Sequence, residues 1–361
     1  MSGTPEAAVL LDSDSTMKKL GPFRSPLPWI GLAVSVGTLF LAFRGLHWAE
    51  VGEALADANY GLLALALVIL LAALYLRALR WAVLFHPRRG MRIGNLLGTM
   101  NVGYAINNIL PLRVGELARA YVIGEVENVS TAHALSTIVV ERTLDTITVV
   151  AFLMVTLPFI DAPGWARGPA LLLGLGFLGL AVLLATLSAA RERAMRLVGW
   201  VVRFLPERSR RRTEEAADAA IEGFAVLRQP ALMAQAAAWS VASWLVSAIL
   251  MFVVLRALDL DLPFTAALFV MAAVSLGMVV PSSPGYIGVF HAIAIESLVN
   301  VFDVDRNGAA SFALVQHAII YLMPMVIAAV FLWRQRRTWQ QVRLWARGEA
   351  PADEVTGAGP R

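Results

Sequence analysis

The sequence predicts an all-α polytopic membrane protein, built from six spanning helices plus two re-entrant helical hairpins, related as an inverted repeat. Three observations predict it. The 361 residues are 58% hydrophobic and only 16% charged, whereas a soluble domain carries about 25% charged residues. Six segments, 27–43, 62–85, 131–158, 169–187, 233–255 and 309–333, come close to the roughly 20 apolar residues that a spanning helix needs. Two further apolar stretches, 93–110 and 264–300, are interrupted or polar.

Residues 1–26 are polar and are expected to form a disordered cytoplasmic N-terminus. Lys18, Lys19 and Arg24 place it inside, because short positively charged loops stay in the cytoplasm. A signal peptide is the competing reading of 27–43. The charged region before it is long, however, and no small-residue cleavage site immediately follows Phe43. Trp29 and Trp48 flank this span as interfacial anchors. The next loop carries Glu50, Glu53 and Asp57, which fits the outside. The span 62–85 returns to Arg88, Arg89 and Arg92; Arg77 and Arg80 at its end are expected to snorkel to the cytoplasmic headgroups.

The segment 93–110 decides the topology. If it crossed, the loop with Arg191, Arg193, Arg196, Arg203, Arg208, Arg210, Arg211 and Arg212 would lie outside, against the positive-inside rule. A segment that dips in, breaks at Pro111 and returns through 114–123 keeps those arginines inside. The same logic makes 264–280 enter from outside, break at Pro281-Ser282-Ser283-Pro284-Gly285, and return through 286–299. The last span ends at Arg334, Arg336 and Arg337, so both termini are cytoplasmic. The halves 62–158 and 233–333 then form an inverted repeat, read from hydropathy and charge rather than from residue-level similarity. Eight plain spans with unusual loop charges are the alternative. Between the halves lies an amphipathic cytoplasmic linker, 190–232. Its start, 191–205, reads as a basic helix on the inner leaflet, or equally as one packed on the protein. Residues 334–361 form a basic cytoplasmic tail.

The candidate site follows from charge at membrane depth. A charged side chain at the bilayer centre costs about 2.5–3.5 kcal/mol on insertion scales. Arg113, Glu116 and Arg119 nevertheless follow the break after Asn107 and Asn108, and Glu141, Arg142 and Asp145 sit inside 131–158. Pro111, Pro281 and Pro284 are the structural breaks; Asn107, Asn108, Ser282 and Ser283 offer replacement hydrogen bonds, and Gly285 permits a tight bend. Two broken helices would meet near the midplane, with half-helix N-termini facing an anionic group. The arginines suit a lipid phosphate, which guanidinium binds bidentately. The competing reading is a salt-bridge cluster that only locks packing. His291 and His317 are expected to pack in the core or at an interface.

Several classes are excluded. The chain has no cysteine, hence no disulfide and no Cys-type zinc site. There is no His-Glu-x-x-His, Walker loop or Gly-x-Ser-x-Gly, so no catalytic residue, metal or cofactor is expected. The net charge of +4 comes with basic residues that flank apolar helices, which does not point to nucleic acid.

Three stretches resemble signatures of one family, in order. They are Asn107-Asn108-Ile109-Leu110-Pro111-Leu112-Arg113-Val114-Gly115-Glu116 continuing to Arg119, then Val140-Glu141-Arg142-Thr143-Leu144-Asp145, then Pro281-Ser282-Ser283-Pro284-Gly285-Tyr286-Ile287-Gly288-Val289-Phe290. They are similar to the lysylphosphatidylglycerol synthase transmembrane-region, or flippase-like, family over about 29–333. Tyr286 stands where the family commonly has a second Gly, His291 where it has Glu, and His317 where Arg often precedes the Tyr-Pro pattern. The resemblance implies a transmembrane domain over 27–333 without the aminoacyl-transferase domain. It implies a lipid flippase or transporter of a bacterial or archaeal inner membrane, more a transport protein than an enzyme. The expected partners are a phospholipid or other amphiphilic lipid and a separate lipid-synthesis enzyme. The alternatives are a membrane-embedded lipid-modifying transferase and an accessory subunit of a lipid or glycolipid synthesis enzyme.

Overall fold

The computed structural model describes residues 26–88, 90–110, 113–160, 190–204, 207–278 and 284–335, with isolated positions between 168 and 186. The two tails and nine of the nineteen positions of the expected span 169–187 lie outside the described residues. All regular structure among the described residues is helical.

The order is α1 (Pro26–Phe43), α2 (Trp48–Ala56), α3 (Tyr60–Leu84), α4 (Ile93–Ile109), α5 (Gly115–Glu127), α6 (Thr131–Thr156), α7 (Arg191–Val202), α8 (Glu207–Gly223), α9 (Pro230–Ala257), α10 (Phe264–Gly277), α11 (Val289–Phe302) and α12 (Arg306–Arg334). Local chemistry sets the starts. The Asn59 side chain accepts from the Leu62 N–H (3.1 Å) and opens α3. Asp305 accepts from the N–H groups of Asn307 (2.9 Å) and Gly308 (2.8 Å) and opens α12. Pro230 opens α9, where its missing N–H is no loss.

Four stretches, Tyr60–Leu84, Pro230–Ala257, Pro284–Phe302 and Arg306–Arg334, are long and apolar enough to cross a bilayer. The third is not one helix. Gly285 (φ +67°), Tyr286 (+57°) and Gly288 (+94°) are left-handed or nearly so, and continuous α-helix resumes only at Val289. Helix α6 has 26 residues, which suffices to span, but it carries Glu141, Arg142 and Asp145.

Side-chain placement shows which solvent the fold is built for. Leu65, Val68, Leu71 and Tyr75 form an exposed stripe along α3, and Leu322, Val326 and Val330 form one along α12. Meanwhile Arg80, Arg119, Glu141 and Ser240 are buried. Apolar outside with charge inside is unfavourable in water and favourable in hydrocarbon. This is a multi-pass membrane-embedded protein.

Helices α3 and α9 pack along each other, and several of the remaining contacts come in matching pairs. Contact α3–α4 has its counterpart in α9–α10, α4–α5 in α10–α11, and α5–α6 in α11–α12. Between the halves, α4 lies on α12 as α10 lies on α6. The linkers match in detail. Asn128-Val129-Ser130 ends α5 with Asn128 left-handed (φ +52°), and Asp303-Val304-Asp305 ends α11 with Asp303 left-handed (φ +52°). Asn and Asp tolerate this conformation best among residues with a side chain. Between the halves, α8 packs on α6 and α7 on α8. Trp200, Val201 and Phe204 are left exposed, with the Arg203 guanidinium 4.5 Å from the Phe204 ring.

Candidate functional site

The site begins where α4 and α10 stop. Backbone groups freed by a helix break need protein partners if water is far away. Asn107 on α4 accepts from the Gly115 N–H (2.8 Å), and the Arg113 carbonyl accepts from Glu116 N–H (3.2 Å). The backbones of α4 and α5 approach so closely that a Cβ on Gly103 would lie 2.9 Å from the Gly115 carbonyl. Helix α12 serves both breaks from one face. Tyr321 donates its hydroxyl to the Asn108 carbonyl (3.1 Å), and Asn108 returns a bond to the Tyr321 carbonyl (3.1 Å). One turn earlier, His317 Nε2 meets the Gly285 carbonyl at 2.9 Å. Arg113 donates to the carbonyl of Met278 at the end of α10, and its guanidinium lies over the Tyr286 ring at 5.5 Å. The two hairpins therefore meet.

One expectation changes here. The N-termini of α5 and α11 do not both face open space. The first N–H groups of α5 are taken by Asn107 and Arg113, and Gly288 at the start of α11 packs on the α1 backbone around Leu39. The charged groups available to an anion here are side chains.

Those side chains come from a charge network and a cavity. In the network, Glu141 receives Arg119 in a two-pronged pair, Arg80 at 3.3 Å and Arg142 at 2.5 Å. Asp145 receives Arg80, Arg142 at 3.5 Å and the Trp244 indole N–H at 2.7 Å. Glu116 stands 4.0 Å from Arg142. Three arginines thus balance three carboxylates, and among the described residues no group of three or more His, Asp or Glu side chains is placed to hold a metal ion. Ser240 on α9 accepts from Arg80 (2.9 Å), and Arg119 lies 3.9 Å from the centre of the Trp81 ring.

The cavity, about 290 Å³, opens between the halves. Asn107, Asn108, Arg113, Glu116, Arg142, Asp145 and Gly285 line it, so it brings together seven of the residues singled out by the sequence. Arg119 and Glu141 do not reach it; they are 1% and 0% exposed, behind the wall. Pro111, Pro281, Ser282 and Ser283 lie outside the described residues. Pro284 opens the short 3-10 turn Pro284–Tyr286.

The expected snorkelling of Arg77 and Arg80 is corrected. Arg80 is fully buried in the network. Arg77 lines the cavity, 4.8 Å over the Trp244 ring, and donates to Ser247 (3.3 Å). The carboxylates of α6 and the polar stripe of α9 draw them inward. Ser240, Ser243, Trp244 and Ser247 recur with helical period on one side of apolar α9, a polar stripe legible in the sequence. Tyr104, Gln316 and His317 also line the cavity. His291 packs beside His317, ring centroids 4.7 Å apart.

The family's model, described as the lysylphosphatidylglycerol synthase TM region, matches residues 29–328. The chain belongs to this family. Two relatives are similar along most of it. A UPF0104 membrane protein of Methanothermobacter thermautotrophicus is 27% identical over 310 residues, covering 78% of this chain and 88% of that one. Glycosyltransferase AglD of Haloferax volcanii is 26% identical over 324 residues, covering 80% of this chain and 51% of its own length. The chain thus spans about half of AglD. The matched region of the family encloses the cavity, the network and both breaks.

Proposed function

We propose that this protein moves a lipid across a prokaryotic inner membrane by passing the polar headgroup through the cavity between α4–α5 and α10–α11 while the tails stay in hydrocarbon. The observation that carries the reading is the cavity itself. It is walled by both halves, combines apolar residues such as Leu70, Met251 and Ile320 with charged ones, and meets Arg142 and Asp145 from the network. Charge kept inside an apolar exterior suits a polar group passing at membrane depth.

In this reading six helices cross, the two hairpins are re-entrant from opposite sides, and both termini are cytoplasmic. The paired contacts of the halves support an inverted repeat. The exposed Trp200, Val201 and Phe204 beside Arg203 support an α7 that lies on the inner leaflet. The domain is 27–333, and the substrate-binding residues are those lining the cavity.

The test is headgroup-labelled lipid movement in proteoliposomes. Arg142→Gln or Asp145→Asn is expected to abolish movement while the protein remains folded. Full activity in both variants would reduce the cluster to packing. A second reading is favoured by the name of AglD. A membrane unit of this family could serve a lipid-linked sugar transferase, as an accessory to a separate enzyme. Accumulation of an unmodified lipid carrier in a deletion strain, with normal translocation, would support that reading.

A further inference from the structure

We infer that the cavity selects a terminal phosphate group, a phosphate monoester carrying close to two negative charges, and that Arg77 and Arg113 hold it. The inference rests on the cavity being a headgroup site.

Charge balance separates the arginines into two groups. Arg80, Arg119 and Arg142 are matched by Glu116, Glu141 and Asp145. Arg77 and Arg113 also line the cavity, and neither has a carboxylate partner among the described residues. Each instead rests on an aromatic face, Trp244 and Tyr286, and donates to neutral acceptors, Arg77 to the Ser247 hydroxyl and Arg113 to the Met278 carbonyl. A guanidinium has five N–H donors in a fixed fork. The Nε–H groups of Arg77 and Arg113 are buried and unpartnered.

The surroundings supply further polar groups. The Tyr104 hydroxyl lines the same cavity without a hydrogen-bond partner. Gln316, 1% exposed, leaves its Oε1 unpartnered there as well; turning the amide over presents its NH2 instead. Both guanidiniums are half-buried with no paired carboxylate among the described residues, and a cation partly withdrawn from water gains from a counter-charge. Two such cations leave room for about two negative charges. A phosphate monoester carries about −1.5 to −2 at pH 7; a phosphodiester carries one, and in a zwitterionic lipid a neighbouring cation cancels it. Arginine forks match phosphate oxygens bidentately. Both arginines come from the first half and both aromatic seats from the second, so an anion bound here touches groups held by both halves.

The experiment compares lipid retention by the full-length protein in phosphatidylcholine nanodiscs, using native mass spectrometry. The probes are phosphatidic acid, phosphatidylglycerol and inorganic phosphate. The expected result is preferential retention of phosphatidic acid, weakened about tenfold or more in Arg77→Gln and in Arg113→Gln. Arg256→Gln, a surface control, should leave retention unchanged. Arg77→Lys and Arg113→Lys keep the charge without the fork, and should give intermediate losses. They also serve if the Gln variants do not fold. Displacement of phosphatidic acid by millimolar inorganic phosphate would assign the site to free phosphate; no displacement would assign it to the lipid. Equal retention of phosphatidic acid and phosphatidylglycerol, or undiminished preference in folded Gln and Lys variants, would overturn the inference. Phosphate-selective binding without translocation would remove the translocase reading and leave this one. Translocation indifferent to headgroup phosphate and to Arg77 would do the reverse.

Discussion

Arg113 and Tyr286 are both left-handed residues at a helix break, one in each hairpin, and the guanidinium of the first lies 5.5 Å from the ring centre of the second. A left-handed conformation costs a residue with a side chain about 1–2 kcal/mol. Such strain persists only where the surroundings over-determine it. Here Arg113 is tied to the Met278 carbonyl across the interface. Each break is thus held by the other, and neither hairpin is specified by its own residues alone.

That cost can be isolated. Tyr286→Ala and Tyr286→Gly both remove the ring, but only Ala keeps a Cβ in the left-handed conformation. The Gly variant should be the more stable of the two by about 1 kcal/mol. Unfolding in detergent measures the difference, and an Ala variant at least as stable would count against strain at this position.

The close approach of α4 and α5 makes a second prediction. A Cβ on Gly103 or on Gly115 would meet the other residue's carbonyl, and on Gly115 also the Asn107 side chain. Gly103→Ala and Gly115→Ala should each destabilise by about 1–3 kcal/mol. Ala at Gly94, where a Cβ meets nothing within 4 Å, is the neutral control.

The network should separate folding from transport. Glu141 is fully buried among three guanidiniums, and Glu141→Gln leaves them short of one negative charge. Breaking a buried pair from one side costs about 3–5 kcal/mol, so this variant should accumulate poorly or melt early. Arg142 has a side chain 34% exposed to the cavity, and its removal should cost less stability while stopping transport. Equal melting of the two variants would contradict this division.

Topology is open to a chemical test because the chain has no cysteine. Leu112→Cys and Ser283→Cys, each at one break, should react with an impermeant thiol reagent added from opposite sides. Reaction of both from one side would sink the inverted arrangement.

Much of the helix layout was legible beforehand. The expected segments 62–85, 131–158, 233–255 and 309–333 lie on α3, α6, α9 and α12, and the interruptions of 93–110 and 264–300 lie where α4 and α10 end. Hydropathy, proline and glycine act locally, so a linear reading finds them. The short linkers were harder. Asn128-Val129-Ser130 and Asp303-Val304-Asp305 share a backbone turn and one identical residue, too little to stand out in sequence.

By itself the sequence determined the class of the protein, its helical segments, the positions of its breaks and the presence of charge at membrane depth. Each follows from how a short stretch of chain partitions between lipid and water. Only the tertiary structure decided which charges cancel and which remain. Arg80 and Asp145 are 65 positions apart and pair because α3 and α6 pack together, while Arg77, three residues before Arg80, is turned to Trp244 on α9 and into the cavity. Two arginines that look alike in a linear reading differ because helical rotation and the neighbouring helix set the partner each one meets.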